Sequence, residues 1–274
     1  MKPMIINTNI AATMTANSMR ENQRTMENTM ERLSTGKRIN SASDDAAGLA
    51  IETRMTSQIK GLSQAARNGN DGISMLQTAD VALGQGNEML QRMRELSVQA
   101  RTGTIGVEDI ANLDQEFAAL ASEIDRLAND VTFNNVAILA STANYNIMVG
   151  ADDADVIVVS MTDSRFPVEI RSLMTPGTGL GVNSDSMIET LDFMIEANAG
   201  SRVALGASIN RLEDAVDNLN TTILNTQAAK SQIVDADYAS ETTELARTQI
   251  ISQASTAMLS QANQQAQSVL ALLK

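Results

Sequence analysis

The sequence predicts a mainly α protein: a long antiparallel coiled-coil helical bundle with a small β-hairpin, in which the N- and C-terminal helices pair as a coiled coil. Three observations predict it. Apolar residues recur every seven positions through most of the 274 residues, in two interlocking rows, the signature of helices packed side by side. The only prolines are Pro3, Pro167 and Pro176, so residues 4–166 hold no mandatory helix break. Aromatic residues make up 2% of the chain, and a core of Ala, Leu, Ile, Val and Met suits close helix packing better than a sandwich or barrel.

Each element follows from its own pattern. Ala12, Met19, Met26 and Leu33 keep the seven-residue beat, with Ala16 and Met30 in a companion row, and predict a helix over about 8–33. "STGKRINSASDD" interrupts it, and Ser43 or Asp44 is suited to cap the next helix. There Met55, Leu62, Leu76, Leu83 and Leu90, interleaved by Ile51, Ile59, Ala66 and Ile73, predict one helix over about 44–101. Gly61, Gly69, Gly72, Gly84 and Gly86 lie inside it, each disfavouring helix by up to ~1 kcal/mol against Ala. Either the helix breaks at one of them or they admit the close approach of a neighbour. After "RTGTIG", Ile110, Phe117, Ile124 and Val131 run beside Leu113, Leu120 and Leu127 and predict an antiparallel partner for the long helix.

The period then changes to two. Tyr145, Ile147 and Val149 alternate with polar neighbours, "GADDAD" turns, and "VIVVSM" follows, predicting a β-hairpin at about 145–161 with a short strand near Val136 to Leu139. "TPGTGLGVNSDS" at 175–186 reads as a linker. Heptads resume in the rows Leu191, Leu205, Leu212, Leu219 and Ile195, Ile209, Val216, Ile223; "IVDADYA" is a second connector; the last helix carries Ile250, Ala254, Met258, Ala262, Ala266, Val269 and Leu273 as one stripe. The expected organisation is paired termini (1–33 with 241–274), connectors (34–43 and 233–240), a core bundle (44–162 with 187–232) and a linker (163–186).

Composition excludes several functions. Without cysteine or histidine the chain has no thiol nucleophile, disulfide, imidazole base or ordinary zinc or haem ligand set. A net charge of -13 opposes nucleic-acid binding, which needs cations to displace counterions. The acidic excess lies after residue 101, yet no acidic residue follows Glu244. Near the start only Met4, Ile5 and Ile6 form an apolar run, too short for a signal-peptide core, and no stretch of 18 apolar residues could span a membrane. "GQGNEM" lacks the third glycine of a dinucleotide fingerprint, and "GADDAD" lacks the spacing of an EF-hand loop. Asp44 and Asp45 read as capping residues rather than an acid–base pair, and the methionines as core filling. No catalytic residue, metal or cofactor is expected; carboxylates are the only acid–base groups left to an enzyme.

The chain ends on "QAQSVLALLK". Val269 and Leu273 fall on the stripe of the last helix and Leu270 and Leu272 off it, so one partner helix cannot cover all four. Each forfeits ~1.5–3 kcal/mol if left in water. Copies of the same chain are the expected cover.

The stretches "INTN" at 6–9, "LSTGKRINSASDDAAGLAI" at 33–51, "NDGISMLQTADVAL" at 70–83, "LQRMRELSVQA" at 90–100 and "DADYASETTELARTQIISQASTAMLSQANQ" at 235–264 together resemble bacterial flagellin, over about 4–162 and 185–274. The resemblance implies a filament subunit. Its paired terminal helices would line an inner tube, with Ile10, Met19, Met26, Leu33, Ile250, Met258, Val269, Leu270, Leu272 and Leu273 as polymerisation residues, and the middle helices would surround it. It implies secretion into the extracellular flagellum by the flagellar type III apparatus, without a cleaved signal peptide. Expected partners are self, an export chaperone, and cap and hook-associated proteins. Larger flagellins carry outer domains where only 163–186 stands here, and "MKPM" lengthens the start. The resemblance also makes Arg92, Leu96 and Glu116 candidate contacts for a host Toll-like receptor; against it, Leu96 reads equally as a packing residue and Arg92 as half of an ion pair. The alternatives are a hook-filament junction protein and a cytosolic helical signalling bundle, the latter disfavoured by amphipathic helices at both ends and by the hairpin.

Overall fold

A computed structural model describes residues 9–140, 142–152, 154–161 and 184–272. Among these residues are five helices, α1 (Ile10–Thr35), α2 (Ala46–Ala100), α3 (Val107–Asp130), α4 (Ser184–Val234) and α5 (Tyr238–Leu272), and four short strands, β1 (Thr132–Phe133), β2 (Val136–Ala137), β3 (Ala143–Met148) and β4 (Val156–Met161). The mainly α class with a small antiparallel hairpin is therefore the observed one. Most of the expected linker lies outside the described residues. The chain divides into two compact units, one holding the residues up to Ser57 and from Asn225 onwards, the other Gln58–Leu224.

Local chemistry fixes the helix ends. Asn9 caps α1, its Oδ1 accepting from the Ala12 N–H at 3.1 Å. Gly36 stops it in the left-handed region at φ 71°, with its N–H on the Arg32 carbonyl at 2.8 Å. The cap of α2 is neither Ser43 nor Asp44 but Asp45, whose Oδ1 takes the Gly48 N–H at 2.8 Å. Asp44 is occupied one turn earlier, accepting the backbone N–H groups of Ser41 (2.8 Å) and Asn40 (3.1 Å) and so tying the connector. These bonds hold its carboxyl below the ordinary value of 3.8.

In the Gln58–Leu224 unit, α2 runs through its glycines without a break. Two of them mark close approach: a Cβ on Gly69 would lie 2.6 Å from Val216 Cγ2 of α4, and one on Gly72 would lie 2.5 Å from Ile147 Cδ1 of β3. β1 and β2 form a two-residue hairpin whose turn residues, Asn134 and Asn135, take φ of 48° and 63°, the left-handed pair that such turns demand and asparagine tolerates. β3 and β4 pair antiparallel from Ala143↔Met161 to Met148↔Val156, and the Tyr145 hydroxyl donates to the Ala137 carbonyl at 2.9 Å, linking the two hairpins.

The heptad rows become the core of this unit. Leu76, Leu83, Leu205 and Leu212 are buried with Ile138, Leu139, Ile147, Val159 and Met161. A second cluster joins Leu90, Met93 and Leu96 of α2 to Phe117 and Ile124 of α3 and to Met187 and Leu191 of α4. Leu62, Ala65 and Ala66 pack with Leu219 in a third. Exposed ion pairs bridge the same helices: Arg94 with Asp192, and Arg202 Nε with Asp80 Oδ1 at 2.8 Å. At exposed sites such pairs add little stability.

Candidate functional site

The terminal unit holds the residues expected, from the resemblance, to serve polymerisation. α1 and α5 run antiparallel, as three cross-helix bonds show: Asn9 Nδ2 donates to the Ala262 carbonyl (3.1 Å), Asn22 Nδ2 to the Thr248 carbonyl (2.8 Å), and Arg32 Nη1 to Glu241 Oε1 (3.3 Å). The connectors beyond them are also tied together. Arg38 donates its N–H to the Val234 carbonyl at 2.6 Å and its Nη2 to that of Ile233 at 2.7 Å, while the Ala236 N–H meets the Gly36 carbonyl at 3.0 Å. Ile39, next to Arg38 in the first connector, is buried. Both Lys37 Nζ (3.3 Å) and Lys230 Nζ (3.6 Å) face Glu52 Oε1, and Lys230 also donates to Thr56 Oγ1 at 2.9 Å.

The inner seam differs from the hydrophobic pattern. On α1, Ala12, Met19, Met26 and Leu33 are half-buried, but the companion positions that bury most are Asn22 and Thr29, while Met30 is exposed. On α5 the covered positions are Leu245, Thr248, Ile251, Ser255 and Leu259. The stripe through Ile250, Ala254 and Met258 is offset from these by one position, about 100° of helix. The cause is that polar Asn22, Thr29, Thr248 and Ser255 take seam positions, so counting apolar residues alone selects a rotated face.

The large apolar groups left over point outward. Ile10 is 54% exposed, Ile250 66% and Met258 62%, with Met14 and Tyr238 also exposed. Val269, Leu270 and Leu272 lie in α5, but their side chains, and Leu273 altogether, fall outside the described residues. Thus Met19, Met26 and Leu33 belong to the intrachain seam, while Ile10, Ile250 and Met258 are left uncovered among the described residues.

In the other unit, Arg92 and Glu116 meet each other: Nε and Nη2 of Arg92 reach Glu116 Oε1 at 3.0 and 2.9 Å, and Nη1 reaches Glu95 Oε2 at 3.0 Å. The hydrogen bonds that Arg92 donates to Glu116 and Glu95 raise its pKa. Leu96 corrects the expectation of a receptor contact. It is 0% exposed, packed in the cluster of Leu90, Met93, Phe117 and Leu191, because its place on α2 is a heptad core position. Among the described residues no group of His, Cys, Asp or Glu could hold a metal ion, and no helix is long and apolar enough to cross a membrane.

Residues 6–144 match the bacterial flagellin N-terminal helical region, and residues 188–273 match the bacterial flagellin C-terminal helical region. A flagellin of Halalkalibacterium halodurans is 43% identical over 272 residues, covering 99% of this chain and 100% of its own. A Bacillus subtilis flagellin is 37% identical over 304 residues, with 99% and 100% covered. The crystal structure of Bacillus cereus flagellin superposes with a TM-score of 0.50 at 30% identity, over 60% of this chain and 94% of that one.

Proposed function

The chain belongs to the bacterial flagellin family, and from that premise we propose that it polymerises through the outward apolar face of its terminal helix pair. A flagellin is a structural subunit of the extracellular flagellar filament that serves motility, and not an enzyme. One observation carries the finer reading: Ile10, Ile250 and Met258 sit on paired helices and yet stand more than half exposed. Monomers rarely keep large contiguous apolar patches in water, and such patches mark association sites. Neighbouring copies of the same pair supply cover of matching chemistry, and the C-terminal Val269, Leu270, Leu272 and Leu273 extend the same role.

Seeded assembly tests this. Purified full chain should grow into long tubes of one repeated subunit, whereas a chain lacking residues 262–274 should keep a folded Gln58–Leu224 unit and fail to elongate seeds. Wild-type-like filaments from the truncated chain would refute the use of the C-terminus.

Export unfolded through the flagellar type III apparatus is the corresponding route out of the cell, and it suits a chain without cysteines to cross-link in transit. A receptor role for Arg92 and Glu116 is supported by their exposure and mutual pairing, with Leu96 acting from below by packing α2 against α3. Arg92→Ala with folding and secretion intact should lower Toll-like receptor signalling; unaltered signalling would discard it.

A further inference from the structure

Two of the cores in the Gln58–Leu224 unit stop short of each other. On α2 the first ends at Leu83 and the second begins at Met89; on α4 the second ends at Ile195 and the first begins at Leu205. Between them no residue from 196 to 204 is buried, and of residues 84–88 only Gly86 is. The leucine row of α4 explains the gap. Leu191, Leu205, Leu212 and Leu219 are all buried, but the seven-residue step between the first two falls on Asn198. Its Nδ2 donates to the Leu83 carbonyl at 3.1 Å, and a Cβ on Gly86 would stand 3.6 Å from that same nitrogen, so the amide lies against α2 inside the gap. Held that way round, its Oδ1 is buried with no hydrogen-bond partner among the described residues, as is Oδ1 of Asn87, next to Gly86.

We propose that this layer is the joint of the bundle, where the Gln58–Leu224 unit opens locally and bends as two stiffer halves. Three features weaken it together. Each orphaned acceptor regains hydrogen bonds from water when the layer opens, which favours the open form about tenfold. Gly84, Gly86 and Gly200 each favour it by up to about fivefold over Ala. The layer also lacks the apolar burial that Leu76, Leu83 and Leu212 supply on one side and Leu90 and Leu191 on the other. The ion pairs that flank it, Arg202–Asp80 and Arg94–Asp192, are exposed and offset little of this. Both helices run on through the layer, so the motion is a transient opening of their hydrogen-bond ladders and not a fixed kink.

Hydrogen exchange of the unpolymerised full-length chain under native conditions, read by mass spectrometry of overlapping peptides, tests this. Amides of 84–88 and 196–204 should exchange at least about tenfold faster than those of 75–83, 90–97, 187–195 and 205–212. A local opening exposes little surface, so low denaturant should leave the joint rates nearly unchanged while the flanking rates rise. Asn198→Leu completes the leucine row and removes one orphaned oxygen, while the Leu83 carbonyl keeps its place in the ladder of α2; exchange in both joint segments should slow about tenfold. If Asn198→Leu fails to fold, Gly200→Ala, with nothing within 4 Å of the added Cβ, should slow them by up to about fivefold. A parent whose joint exchanges no faster than its flanks overturns the proposal, as do joint rates that rise with denaturant in step with the flanks. Unchanged joint rates in the folded variants overturn it as well.

Discussion

Replacing Ile250 and Met258 together by Ala should weaken assembly while leaving the subunit folded. Full burial of a side chain of this size contributes about 2 kcal/mol. With 66% of Ile250 and 62% of Met258 still exposed in the single chain, roughly 1.3 kcal/mol from each remains for contacts between copies. The double substitution therefore removes about 2–2.5 kcal/mol per subunit addition, which raises the critical concentration roughly 30- to 70-fold. Ala is the better helix former, so neither substitution should loosen α5. The assay is sedimentation of seeded samples over a range of subunit concentrations, with the plateau of unpolymerised protein read as the critical concentration and the far-ultraviolet dichroism of the monomer as control. A critical concentration within about twofold of the parent would show that this face is not an assembly contact. A monomer that lost helix content would show that the two residues serve the fold instead.

Leu96→Ala should lower the unfolding free energy of the protein by about 2–5 kcal/mol as a buried truncation, whereas Arg92→Ala, at an exposed pair, should lower it by less than about 1 kcal/mol; denaturant titrations showing equal costs would contradict these placements. Gly69→Ala should destabilise by about 1 kcal/mol net, since crowding a β-branched Val216 outweighs the gain in helix propensity, and Gly200→Ala, where nothing lies within 4 Å, should stabilise by up to about that amount. Thermal melts in which both glycines respond alike would refute the close approach. The lowered pKa of Asp44 means that its contribution is complete above 3.8 and is lost as pH falls through its folded value. Asp44→Asn should therefore melt below the parent at neutral pH and converge with it in acid, and a difference that persisted in acid would exclude the carboxylate as cause.

The bundle was legible because its rows are unambiguous: Leu191, Leu205, Leu212 and Leu219 are all buried, and Phe117 with Ile124 forms the inner face of α3. The β3–β4 hairpin was legible from alternation, whereas β1 and β2 were expected only as a short strand near Val136 to Leu139; the signal for their hairpin was Asn134 and Asn135, a sequence that suits two left-handed residues. The terminal pair was legible as a pair but not as a face. Periodicity of apolar residues cannot find a seam whose buried positions are Asn22, Thr29 and Thr248, since their place depends on hydrogen bonds across the helices. Leu96 was left open between contact and packing residue, and burial decides for packing. It follows Arg92, Arg94 and Glu95 closely in sequence, but α-helical geometry turns adjacent residues about 100° apart, so Arg92 and Glu95 face water while Leu96 joins the cluster of Phe117 and Leu191. The cap of α2 shows a smaller case, with three oxygen-bearing residues in a row and only the backbone path deciding that Asp45 takes the role.

The most direct test of the assembly reading is a helical reconstruction of filaments grown from the purified chain by electron cryomicroscopy. We expect a tube whose inner layer consists of α1–α5 pairs, with Ile10, Ile250 and Met258 covered by neighbouring subunits. Discrete monomers or dimers under seeding, or a tube in which those three side chains remain in solvent, would contradict it.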